Sequence, residues 1–84
     1  MPWSPLLYEK QILKEILANS RNGKITVSEL YKIMMRETKM IGEKSLANSI
    51  KAFETLGYVR KGDDGITFDV LSDNIEIRLI KLGE

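Results

Sequence analysis

The chain contains no cysteine and no histidine. Without cysteine there are no disulfides, no thiolate metal sites and no thiol nucleophiles. Without histidine, the commonest general base and the commonest zinc ligand are both missing. Zinc deaminases, zinc fingers, Ser-His-Asp hydrolases and Cys-His proteases are therefore excluded. No apolar run approaches the roughly 20 residues that a membrane-spanning helix requires. The opening Met1-Pro2-Trp3-Ser4-Pro5 has no basic segment and no long apolar one. No secretory signal is expected, and the cytoplasm is the expected location. No glycine-rich phosphate loop occurs. A large charge of one sign is also missing, since 13 basic residues stand against 12 acidic ones for a formal +1. The aspartates Asp63, Asp64, Asp69 and Asp73 do not have calcium-loop spacing, and turn chemistry accounts for them. No metal, cofactor or enzymatic activity is expected.

What remains is an ordinary globular composition, 43% hydrophobic and 30% charged. Its 84 residues allow one core and one domain spanning 1–84. Ten isoleucines, nine lysines and a single glutamine, Gln11, are a mild echo of thermophilic usage.

Helix signals dominate the first two thirds. Ser4 followed by Pro5 reads as an N-cap with proline at the first helical position. Leu6, Leu13, Ile16 and Leu17, with Ile12, then fall on one face. Asn22-Gly23 is the expected stop, so the first helix is predicted from about Pro5 to about Ser20. Lys24-Ile25 allows one rung of strand. Thr26-Val27-Ser28-Glu29 is a capping box, with Ile25 and Leu30 as its hydrophobic staple. It starts a second helix with the stripe Val27, Leu30, Ile33 and Met34, ending near Glu37 or Thr38. After a connector from Lys39 to Gly42, a third helix is predicted over about Glu43 to Leu56. Leu46, Ile50, Phe53 and Gly57 fall within about 60° of one another. Gly57 is the expected C-terminal glycine, with Tyr58 packing back on Phe53.

The period then switches to two. Tyr58 to Lys61 and Ile66 to Leu71 flank Gly62-Asp63-Asp64-Gly65, a tight-turn composition. A turn at Asp63-Asp64 would put Val59 opposite Phe68. A second turn at Asp73-Asn74 would put Val70 opposite Ile77, Phe68 opposite Leu79 and Asp69 opposite Arg78. Three strands ending near Leu82 are predicted.

This element order resembles the winged helix-turn-helix, an α+β fold of three helices and a small antiparallel sheet. The resemblance extends to Gly42-Glu43-Lys44-Ser45-Leu46, Ile50, and Phe53-Glu54-Thr55-Leu56-Gly57-Tyr58-Val59-Arg60-Lys61. These are similar to the recognition helix and first wing strand of that superfamily, with Phe53 where leucine is usual. Ser28-Glu29-Leu30-Tyr31-Lys32 has a slight similarity to the C-terminal winged helix of archaeal origin-recognition proteins, and the whole has the look of a small archaeal regulator. The resemblance implies sequence-specific binding of double-stranded DNA in transcription regulation, with the third helix in the major groove. It puts Lys44, Ser45, Asn48, Lys51, Ala52 and Thr55 toward base edges. Arg21, Lys24, Lys32, Arg36, Lys39, Arg60 and Lys61 would hold the flanking backbone. The same third-helix face also has the composition of any solvated helix face.

Charge speaks for a different partner. Between Gly62 and Ile77 there is no lysine or arginine, while Asp63, Asp64, Asp69, Asp73 and Glu76 are acidic. A wing of that charge repels phosphate. Either a homodimer supplies the missing DNA affinity, or the acidic wing is itself a recognition surface for a basic protein partner. Tyr31 and Met35, off the buried stripe of the second helix, are candidates for a dimer or partner contact. Self-association is also expected through a C-terminal strand with apolar residues on both faces.

Overall fold

The computed structural model describes residues 8–83. Ser4, Pro5 and Leu6, which carried the expected start of the first helix, lie outside them. The described part is an α+β domain of four helices and a three-stranded antiparallel sheet. In chain order these are α1 (Glu9–Asn19), β1 (Lys24–Thr26), α2 (Val27–Thr38), α3 (Glu43–Thr55), β2 (Val59–Lys61), β3 (Thr67–Val70) and α4 (Ser72–Lys81). No described helix is long and apolar enough to cross a membrane.

Local chemistry accounts for the start of α2 and the end of α3. Thr26 Oγ1 accepts a hydrogen bond from the Glu29 amide at 3.0 Å and so caps α2. Gly57 ends α3 with φ +84°, the left-handed conformation that glycine adopts without steric cost. The Tyr58 amide donates to the Phe53 carbonyl and the Gly57 amide to that of Glu54, both at 3.0 Å, which is a Schellman motif. The expected contact of Tyr58 on Phe53 is an edge-to-face ring pair with centroids 5.5 Å apart.

Asn22-Gly23 does something other than cap a helix. α1 ends at Asn19, and Arg21 and Lys24 exchange backbone hydrogen bonds at 2.8 and 3.0 Å. With φ of 55° at Asn22 and 74° at Gly23, the pair forms a type I′ turn into β1.

The sheet order is β1-β3-β2. Val59 lies opposite Val70 and Lys61 opposite Phe68. That is two residues away from the expected register of Val59 against Phe68. A shift of two preserves the faces, so Val59, Phe68 and Val70 still point inward, joined by Ile25. The core lies between this inner face and the helices, with Ile12, Leu13, Ile16, Leu30, Ile33, Met34, Leu46, Ile50, Phe53, Ile75 and Leu79 buried.

The expected third hairpin strand is instead α4. Val70, Phe68 and Asp69 do not pair with Ile77, Leu79 and Arg78. Phe68 faces Ile25 on one side and Lys61 on the other, while Asp69 faces Lys24 and Arg60. Because β1 and β2 occupy both edges of β3, the following segment cannot pair with β3 as a hairpin partner. Ile75 and Leu79, four residues apart, are instead the buried side of a helix packed on α1.

Candidate nucleic-acid interface

The face of α3 opposite its buried residues Leu46, Ser49, Ile50 and Phe53 is open. Lys44, Ser45, Asn48, Lys51 and Thr55 are all exposed, and Ala52 is half-buried beside them. Buried Ser49 was not expected. Its hydroxyl donates to the Ser45 carbonyl at 2.9 Å, which satisfies it inside the packed face. Thr55 Oγ1 likewise donates to the Lys51 carbonyl at 3.0 Å.

Strand parity separates the two cations of β2. Arg60 lies on the outer face of the sheet, where its Nη2 is 3.3 Å from Asp69 Oδ2. Lys24 reaches the same carboxylate from β1, Nζ to Oδ1, at 3.0 Å. Lys24, Asp69 and Arg60 thus form a charge ladder across all three strands. Hydrogen bonding to Lys24 and then Arg60 holds the Asp69 carboxyl below its ordinary pKa. Lys24 is raised, chiefly by its bond to Asp69. Lys61, one residue past Arg60, has the opposite parity. It lines one groove together with Lys51, Glu54, Tyr31 and Val27. The structure therefore brings Lys61 to α3 and keeps Arg60 away from it.

The remaining candidates divide in the same way. The Arg36 guanidinium is held by Glu15 of α1 and by Glu37. Lys32 and Lys39 are exposed on α2 and at its C-cap. Arg21 is exposed in the turn before β1. Tyr31 is half-buried against the core, whereas Met35 is 42% exposed.

The hairpin is less acidic than its sequence implies. Asp73 and Glu76 belong to α4, and Asp69 is neutralised by its two cations. Only Asp63 and Asp64 stand at the β2–β3 tip. Asp64 Oδ1 accepts from the amides of Ile66 and Thr67 and from Thr67 Oγ1, each at 3.0 Å. These bonds, led by the Ile66 amide, lower its pKa. The carboxylate closes the turn.

One buried polar cluster had escaped sequence reading. Glu9 is 1% exposed. Its Oε1 accepts from Arg78 of α4, with Nε at 3.0 Å and Nη2 at 2.9 Å, and its Oε2 accepts from the Tyr58 hydroxyl. The available signal was a carboxylate on the apolar face of α1, four residues before Leu13 and seven before Ile16. Burial, and then the hydrogen bond to Glu9, push the Tyr58 phenol from its ordinary 10.0 up to about 12. The folded chain holds this proton more tightly than the unfolded chain does. Its stabilisation is complete below pH 10 and is lost as pH rises through about 12. Denaturant midpoints measured across that range are expected to fall more steeply for the wild type than for Tyr58→Phe. Equal slopes would remove Tyr58 from the alkaline transition.

Among the described residues no group of three or more acidic side chains is placed to hold a metal ion. Compared with family models, curated proteins and solved structures, the chain matches none of them.

Proposed function

We propose that this domain is a winged helix that binds double-stranded DNA by laying α3 in the major groove, in the manner of a transcription regulator. The observation that carries the reading is the open face of α3, with Lys44, Ser45, Asn48, Lys51 and Thr55 exposed together and Lys61 of the sheet lining the same groove as Lys51. The order of elements and of strands, with β1 beside β3, supports the winged-helix assignment. Asn48 has the donor and acceptor to read adenine, while Lys44 and Lys51 reach guanine or phosphate. Lys32 and Lys39 supply backbone contacts. Arg60, Arg36 and Lys24 contribute little, because each already serves an ion pair within the chain.

The test is binding to random double-stranded DNA across a salt titration. Affinity should fall with salt, log against log, with a slope of magnitude about 3 or more. Lys51→Ala and Lys61→Ala should each lower that slope by about 1, and Arg60→Ala should leave it unchanged. Asn48→Ala should relax sequence preference with the fold intact. No binding at low salt would reject this reading. It would favour an interaction module that offers Asp63, at the hairpin tip, to a basic protein partner.

A further inference from the structure

α4 buries one side and leaves the other bare. Ile75 and Leu79 face the core, while Ile77 is 54% and Ile80 74% exposed. At 100° per residue, Ile77, Ile80 and Asp73 share the face opposite Ile75 and Leu79. Leu56, 46% exposed at the end of α3, lines a shallow groove with Ile77 and Lys81 and widens the apolar strip. Contiguous apolar surface rimmed by charge marks an interaction site.

The charges on its rim identify the occupant. Glu76 lies on one flank of the strip and Lys81 on the other, roughly 140° apart around the helix. Neither has an ion pair among the described residues. We propose that a second copy of this chain pairs with the first through α4, the two helices lying parallel about a two-fold axis that runs along them. Ile77 then meets Ile77 of the second copy, and Ile80 meets Ile80. Glu76 of each copy faces Lys81 of the other, five positions further along, which is where flanking charges pair in parallel two-stranded helices. Antiparallel pairing maps each flank onto itself, setting Glu76 beside Glu76 and Lys81 beside Lys81. The charge pattern therefore selects the parallel arrangement.

Asp73 moderates the contact. It lies on the same face one turn earlier, so two carboxylates approach each other at the N-terminal end of the pair, keep the dimer weak and splay the helices there. None of the proposed DNA-facing residues belongs to this surface, so the pairing stands whether or not DNA is the ligand.

The experiment is sedimentation equilibrium of the full chain without nucleic acid. The wild type should show a reversible monomer–dimer equilibrium. Ile77→Glu combined with Ile80→Glu should abolish it with an unchanged circular dichroism spectrum, because both side chains are exposed. Glu76→Lys alone or Lys81→Glu alone should raise the dimer Kd about tenfold. The two reversals together should restore it, and Asp73→Asn should lower it. A wild type that stays monomeric to millimolar concentration would overturn the proposal. So would a dimer indifferent to the isoleucine substitutions, or charge reversals that fail to compensate each other.

Discussion

Phe53→Ala is expected to cost about 3–5 kcal/mol, the largest effect of any single truncation in α3. Phe53 is fully buried. Its ring packs edge-to-face on Tyr58 at 5.5 Å, and its carbonyl accepts the Tyr58 amide that closes the helix. The substitution therefore opens a cavity at the junction between α3 and the sheet and loosens the link to β2. A domain of this size has roughly 4–13 kcal/mol of net stability, at about 0.05–0.15 kcal/mol per residue. The expected loss is a large fraction of that stability, enough to move the denaturation midpoint by an easily measured amount. Denaturant unfolding of Phe53→Ala and Asn48→Ala in parallel measures this directly. Asn48 is exposed on the same helix, and its truncation should fall within about 0.5 kcal/mol of wild type. Similar losses for the two would mean that α3 is rotated from the orientation described, and its proposed reading face would fall with it.

Glu9→Ala should cost about 3 kcal/mol, because it removes one partner from a buried ionic cluster and leaves the other groups unsatisfied. The carboxylate joins three parts of the fold: α1, the start of β2 through Tyr58, and α4 through Arg78. Arg78 is partly exposed and can turn to water. Tyr58 is 5% exposed and cannot. The damage should concentrate where α4 docks. Amide hydrogen exchange should show α4 losing protection while the central turns of α2 keep theirs. Uniform loss across both helices, or none in α4, would show that the apolar contacts of Ile75 and Leu79 hold α4 without this cluster.

Much of the fold is legible because the signals are local. The Thr26–Glu29 cap, the Gly57 stop and the apolar stripes of α2 and α3 each depend on residues within about a turn of one another. The exposure of Lys44, Asn48, Lys51 and Thr55 was readable from the same periodicity. What failed depended on distant partners. Ile75, Ile77 and Leu79 fit a strand as well as a helix when read alone, and Ile80 with Leu82 was the warning that period two did not hold. Asn22-Gly23 suits a helix end or a type I′ turn equally, and the pairing of β1 with β3, extended by the Val70 amide donating to the Gly23 carbonyl, decides between them.

The site divides along the same line. Sequence by itself determined which residue types α3 presents outward, since helical periodicity follows from backbone geometry alone. Only the tertiary structure decided which cations remain available beside them. Strand register committed Lys24 and Arg60 to Asp69, and helix packing committed Arg36 to Glu15. Register also placed Lys61 on the face of the sheet that shares a groove with Lys51, because side chains one position apart on a strand point to opposite faces. The sheet order likewise kept the chain after Ser72 from pairing with β3, both of whose edges are filled by β1 and β2, and the segment packs on α1 as α4 instead. Hydrogen bonds and ion pairs between segments tens of residues apart leave no trace in local periodicity, and it is these that set the charge of the surface.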